Sequence, residues 1–378
     1  MTNPKVALIH DFLIQDGGAE QVLRALHELY PQAPVYTTIF DKRLEASFPS
    51  SSWDIRVSSA SRIPLIRHIF KYFTLFWPLY FEGLDLSAYD VVISDTANFA
   101  KGVITTSKQL HVSYIHTPPR FLYGYETETN KRSNWFWKPI LSIVDNYLRV
   151  WDYSAAQRPN ILLAPSKNTA DRIYKFYRRD SIVTYPPSKL LSETIVTSVD
   201  NSSIEPYFLC VGRLVRYKNF DLAILACQKL GLSLQIVGSG PELARLKHLA
   251  VPTTKFLGRV SDSELAGLYK GCQALLNPVS DEDFGIVPVE ALSYGKPVVA
   301  LTGGGASEVI TPGITGELFP EATVASLESV LSNFKSTNYL SEECRKRAAV
   351  FSGKDFKNEV FKVVADNWGK NTSRDHQP

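Results

Sequence analysis

A chain of 378 residues is long for one domain, and its 44% hydrophobic and 21% charged residues are those of an ordinary globular protein. Its net charge, 41 − 38 = +3, is too small to argue for a nucleic-acid partner. Cys210, Cys227, Cys272 and Cys344 are widely spaced with no C-x-x-C pair, so they read as buried thiols in a reducing compartment, not as a metal site or a disulfide frame.

The N-terminal apolar run is too short for a signal peptide and Asp11 interrupts it, which places the protein in the cytoplasm. Val6 to His10 reads as a buried strand, followed by a turn at Gly17-Gly18 and a helix with Leu23, Leu26 and Tyr30 at helical spacing. A glycine pair at a helix start is either an anion site, made by free N–H groups and the helix dipole, or simply a tight turn. Val35 to Phe40, Val91 to Ser94 and His111 to His116 supply further strands, and alternation with helices predicts a doubly wound parallel sheet. The span Arg62 to Phe81 mixes Arg62, Arg67, His68 and Lys71 with seven aromatic residues, and Lys71 and Pro78 break its apolar run. It is too interrupted to cross a bilayer, which leaves two readings, a membrane-interface segment and a helix buried in the first core. His116 ends a strand just before Pro118-Pro119, a position suited either to a cleft or to a structural role. A long helix over Trp135 to Arg158 and a strand over Ile161 to Ser166 complete this half.

Pro186-Pro187 and the polar stretch after it read as an interdomain linker. The pattern then restarts. Arg213 and Lys218 fall five residues apart in a loop before a helix, where two cations suit a diphosphate better than a core. Leu232 to Leu246 reads as strand, glycine turn and helix. Leu243 stands where a dinucleotide fingerprint needs its third glycine, so Gly238 and Gly240 do not make a nicotinamide site. Two more strands and the glycine turn GGGASEVI follow, and Ser352 to Trp368 is helical before a polar, disordered tail.

The stretch Pro278 to Ala300 joins these features. It carries Glu282 and Glu290 with seven residues between them, Phe284-Gly285 where a backbone can approach a ligand, a helix from Ile286 to Gly295, and a buried strand VVAL. One carboxylate lies in a loop and the other well into the helix. They therefore do not act as one acid–base pair, but they can grip two ends of an elongated ligand.

VGRLVRYKN, VGSGPE, EDFGIVPVEA and GGGASEVI, in this order and spacing, resemble the retaining glycosyltransferases of family four. The DGGAEQVL turn and YIHTPPR match more loosely, and EDFGIVPVEA with HTPPRFLY looks like the bacterial mannosyltransferases of surface-polysaccharide assembly. The resemblance implies the GT-B fold: two facing Rossmann-like domains with a cleft between them. The expected boundaries are 1–188 for the acceptor-side domain, 189–204 for the linker, 205–351 for the nucleotide-sugar domain, and 352–378 for a helix crossing back and a tail.

By the same resemblance, Arg213 and Lys218 hold the donor diphosphate, Glu282 contacts the donor sugar and Glu290 binds the ribose. The backbone of Asp283, Phe284, Gly285 and Ile286 reaches the sugar. Gly17, Gly18, Gly238 and Gly240 belong to donor-side turns, and His116 faces the reacting sugar. No Asp-x-Asp pair ends a strand, so a metal-independent reaction without a cofactor is expected, and the resemblance implies front-face transfer with GDP-mannose favoured over UDP-sugars. The acceptor would be a lipid-linked or polysaccharide saccharide, with inner-membrane surface contact through Arg62 to Phe81. Two alternatives stand beside it: a sugar-nucleotide epimerase of the same architecture, and a non-catalytic nucleotide-sugar-binding subunit.

Overall fold

Parallel strands covered by helices on both faces have no polar side, so they read as continuous apolar runs. In the computed structural model, which describes residues 4–63, 66–126, 138–188 and 206–373, those runs build two sheets in two units. One unit spans Met1–Pro187 and Gly353–Pro378, the other Ser188–Ser352.

The first unit contains β1 (Val6–His10), α1 (Gly18–Leu29), β2 (Val35–Thr37), β3 (Ile55–Val57), α2 (Ile66–Ile69), α3 (Trp77–Glu82), β4 (Val91–Thr96), β5 (Leu110–Ile115), α4 (Lys138–Ala156), β6 (Ile161–Ala164), α5 (Lys167–Tyr177) and β7 (Ile182–Val183). The strands pair in parallel in the order β3-β2-β1-β4-β5-β6-β7. β2 stops at Thr37, shorter than its apolar run suggests, and the edge strands β3 and β7 have no clear signal because they are half-exposed.

The second unit contains β8 (Tyr207–Val211), α6 (Phe220–Lys229), β9 (Ser233–Val237), α7 (Leu243–Leu249), β10 (Thr254–Gly258), α8 (Asp262–Gly271), β11 (Ala274–Asn277), α9 (Ile286–Ser293), β12 (Val298–Leu301), α10 (Ala306–Val309), β13 (Gly316–Phe319), α11 (Val324–Asn333) and α12 (Ser341–Ala349). Its sheet, also parallel, has the order β10-β9-β8-β11-β12-β13. The last helix, α13 (Gly353–Ser373), belongs to the first unit. It lays Phe356, Val360 and Val364, spaced one helical turn apart and all buried, into the core beside Val22, Leu23 and Leu26 of α1.

The span Arg62 to Phe81 is not one helix. It folds as a 3-10 turn, the one-turn α2, another 3-10 turn and α3. Ile66, Trp77 and Phe81 are buried, and Phe12 packs on Phe70 at 5.0 Å and on Trp77 at 5.8 Å. Leu75, Phe76 and Leu79 are exposed, Phe76 by 59% and Leu79 by 62%. The segment thus buries one apolar side in the core, as the buried reading expects, and leaves another apolar side outward. The side chains of Arg67, His68 and Lys71 lie outside the described residues, as do the linker 189–204, positions 135–137 and the tail from 374. Among the described residues no helix is long and apolar enough to cross a membrane. All four cysteines are buried free thiols.

Candidate functional site

In open α/β sheets ligands gather at the carboxyl ends of strands where the strand order reverses. In the second unit that reversal falls between β8 and β11. The loop after β8 buries Leu214 and Val215, makes a 3-10 turn at Arg216–Lys218, and reverses at Asn219, whose φ is +50°. The Asn219 amide donates to the Pro278 carbonyl at 3.0 Å and to Ser280 Oγ at 2.7 Å, and Ser280 N–H donates to the Tyr217 carbonyl at 3.0 Å. These bonds clamp the two loops together. As a result Lys218 Nζ lies 3.1 Å from Glu282 Oε2, with side chains 15% and 16% exposed. Burial opposes the charge on Lys218, but Glu282, Tyr217 and Asp283 together outweigh it and raise the lysine's pKa. Both side chains are mostly buried, with only a small part of each open to solvent.

The Glu282 backbone is pinned from a third side. Gly305 N–H donates to the Glu282 carbonyl at 2.7 Å, and a Cβ on Gly304 would come within 2.6 Å of that carbonyl oxygen. Asp281, with φ +55°, stores strain in the same loop. The Phe284 side chain is buried, edge-on to Phe351 at 5.4 Å, so only its backbone is available to a ligand. Gly285, at φ +103°, opens α9, and Ile286 is the first helical residue, where amides lack intrahelical partners. Glu290 lies in the second turn of α9 and accepts a hydrogen bond from the Tyr269 hydroxyl at 2.9 Å. Burial first, and Glu290 second, push that phenol well above its usual pKa, so it stays a donor.

Gly238 and Gly240 are demanded by packing. A Cβ on the first would meet the Gly212 carbonyl oxygen at 1.9 Å, and on the second the Leu214 carbonyl oxygen at 2.3 Å. Their turn seats the loop carrying Arg213, whose side chain is exposed.

In the first unit the reversal falls between β1 and β4, and polar groups collect at these strand ends. Asp95 at the end of β4 accepts from His10 Nδ1 at 2.8 Å and from His116 Nε2, just past β5, at 2.6 Å. His10 Nε2 is 3.9 Å from Glu20 Oε1, while Glu20 Oε2 accepts the Gly17 N–H at 2.9 Å. The expected anion at the Gly17-Gly18 turn is therefore in part the protein's own carboxylate, and Gly17 N–H is already engaged. Asp11 accepts the N–H groups of Ala97, Asn98, Phe99 and Ala100 at 2.7–2.8 Å and fixes the loop after β4. Desolvation opposes charge on His10, yet hydrogen bonding and attraction from Asp95 and Glu20 raise its pKa to about 10. Burial works against ionisation of Asp95 too, but His116 and His10 hold its pKa below the usual range.

Among the expected residues, the structure brings Lys218 and Glu282 together directly, holds Glu290 on Tyr269, and links Gly17 to His116 through a buried chain. Sequence reasoning misses His10, Glu20, Asp95, Asn219 and Tyr269, and sees Asp11 only as an interruption. A usable signal existed for three of them: His10-Asp11 and Asp95 are polar residues closing apolar strand runs.

Residues 193–350 match the family described as glycosyl transferases group 1. The chain is 28% identical over 202 residues to a GDP-mannose-dependent alpha-mannosyltransferase of Mycobacterium tuberculosis, covering 53% of this chain and 51% of that protein. It is 24% identical over 294 residues to a sulfoquinovosyl transferase of Arabidopsis thaliana, covering 71% and 56%. The chain spans about half the length of the curated relatives it matches. Among solved structures, Anabaena HepE in complex with UDP-glucose aligns with a TM-score of 0.67 at 17% identity, over 96% of this chain and 100% of that one. Sucrose-phosphate synthase from Thermosynechococcus elongatus aligns with a TM-score of 0.70 at 16% identity, again over 96% and 100%. At these identities the likeness gives the fold, two Rossmann-like parallel-sheet domains of the GT-B class.

Proposed function

We propose, from the premise that residues 193–350 carry a glycosyl transferases group 1 domain, that this protein transfers a hexose, mannose first, from a nucleoside diphosphate sugar to a lipid-linked or polysaccharide acceptor. The observation that carries the reading is the Lys218–Glu282 pair, mostly buried with its rim open to solvent, and clamped at the strand-order reversal of the second unit. A cation there stabilises the diphosphate as it leaves, and a carboxylate beside it accepts hydrogen bonds from sugar hydroxyls. Arg213 adds a second charge in the same loop. Glu290, aimed by Tyr269, takes the ribose.

The reading includes retention of configuration by front-face attack. The acceptor oxygen bonds to the anomeric carbon as the carbon–oxygen bond to the β-phosphate breaks, and the acceptor's proton passes to the departing phosphate oxygen. No metal enters this scheme. GDP-mannose is favoured over UDP-sugars, in keeping with the mycobacterial relative, a GDP-mannose-dependent alpha-mannosyltransferase. The exposed Leu75, Phe76 and Leu79 support contact with the inner membrane surface through Arg62 to Phe81.

The test is a thermal-shift screen against GDP, UDP, ADP and their sugar conjugates, with and without chelator, followed by transfer assays. Ligand that binds only the folded state raises the melting temperature. A rise with GDP and GDP-mannose that ignores chelator supports the full reading. A rise with UDP-sugars alone discards mannose, and no rise at all discards the transferase. Vesicle sedimentation checks the surface contact: replacing Phe76 and Leu79 by Ser should release the protein, and unchanged sedimentation sinks that part.

A further inference from the structure

The chain from the glycine turn to His116 has a chemical consequence beyond this reading. Asp95 is 1% exposed and accepts from two imidazoles, one on each oxygen. An ionised carboxylate has no hydrogen to give, so the nitrogens facing it, His10 Nδ1 and His116 Nε2, must both carry protons. His10 sits between Asp95 and Glu20 and supplies the positive charge that a buried carboxylate needs. The His116 ring is also held at its side by Tyr114, edge-on at 5.1 Å and 70°, whose hydroxyl is tied to the Thr184 carbonyl at 3.0 Å. The ring remains 16% exposed, and His116 Nδ1 makes no hydrogen bond among the described residues.

We propose that Asp95 is a positioning residue for His116, fixing the imidazole as the Nε2–H tautomer with Nδ1 presented as a hydrogen-bond acceptor, and that His10 and Glu20 tie this ring to the Gly17-Gly18 turn. What Nδ1 accepts from, a hydroxyl of the sugar substrate, rests on the glycosyl-transfer reading; the tautomer does not. The charged and titratable groups next to the pair are His10 on β1, which Glu20 of α1 also faces, and Tyr114 on β5, whose phenol in turn faces Glu359 of α13.

The experiment is a long-range proton–nitrogen correlation spectrum of the full chain labelled with 15N-histidine, the His116 signals assigned by their absence in His116→Gln. The expected result, read at a pH where the ring is neutral, is a protonated Nε2 and an unprotonated Nδ1. A protonated Nδ1 with a bare Nε2 overturns the proposal. In Asp95→Asn the amide can donate as well as accept, so the preference should collapse to a mixture; an unchanged tautomer would mean Asp95 does not set it. In transfer assays Asp95→Asn should lower kcat roughly 10- to 100-fold, as loss of outer carboxylates on working histidines does. Donor KM should stay within about 3-fold, because the lost interaction acts in the transition state. A raised KM with unchanged kcat argues against positioning. If Asp95→Asn does not fold, the wild-type spectrum alone decides the tautomer. If the wild type binds no nucleotide sugar, the transfer reading falls and the spectrum still tests this inference.

Discussion

Lys218 and Glu282 are 64 residues apart in the chain and 3.1 Å apart in space. Both side chains are mostly buried, so removing either takes from the other its nearest opposite charge. Lys218→Ala is expected to lower kcat/KM for the donor by about 100- to 1,000-fold, the range for losing one preorganised group at a developing charge. Circular dichroism should show the fold retained. Glu282→Ala should lose turnover comparably, because it removes the sugar's acceptor and frees Lys218. Tyr269→Phe makes a finer test. It keeps the ring stacked on Tyr294 at 5.1 Å but deletes the hydroxyl that aims Glu290. A hydrogen bond to a charged group is worth about 1.5–3 kcal/mol, so donor affinity measured by calorimetry should fall roughly 10-fold or more. An affinity equal to wild type would detach Glu290 from nucleotide binding.

At the scale of elements, the loops carry the chemistry and the glycines decide how closely they nest. A Cβ on Gly305 would sit 2.3 Å from Phe284 Cα, backbone that cannot step aside cheaply. Gly305→Ala is therefore expected to displace the Glu282 loop, costing about 1–3 kcal/mol and weakening nucleotide binding together with stability. Helix α13 is held differently, by apolar burial. Phe356→Ala should destabilise the first unit by about 3–5 kcal/mol in denaturant unfolding, because Phe356 is 1% exposed and rests edge-on to Tyr114 at 5.7 Å. That change should leave the thermal-shift response to nucleotide in place, since the nucleotide loops belong to the other unit.

Across the whole molecule, two buried histidines pull stability in opposite directions with pH. His10, raised from the ordinary 6.5 to about 10 by Asp95 and Glu20 against its burial, stabilises the fold fully below about 6.5. That contribution is lost as pH climbs through 10. His111, buried and bonded to Ser94 at 2.9 Å, is depressed to about 3 by burial and by Arg179 and Arg158. Below pH 6.5 the unfolded chain takes up a proton that folded His111 refuses, so stability falls towards pH 3. Melting temperature against pH should flatten on the alkaline side in His10→Gln and on the acid side in His111→Asn. Unaltered limbs in both variants would remove these histidines as the cause.

The amino-acid sequence by itself determined most of the buried strands and the longer helices, and so the class of both sheets, but not the half-exposed edge strands β3 and β7. A buried parallel strand needs a continuous apolar run, and a helix needs a repeat and a terminator; both are local properties that Val6 to His10 or Ile286 to Gly295 display alone. It also pointed to Arg213, Lys218, Glu282 and Glu290 as charges with no reason to lie in a core. Only the tertiary structure decided which strand ends meet. His10 and Asp95 are 85 residues apart, and nothing in either segment announces the other. They touch because the strand order places β4 beside β1, in register at His10 and Asp95. The same holds for Tyr269 under Glu290 and for Asn219 across the β8 and β11 loops. Periodicity is written along the chain, whereas a buried polar network is satisfied only across it, by partners that the packing of the sheets selects.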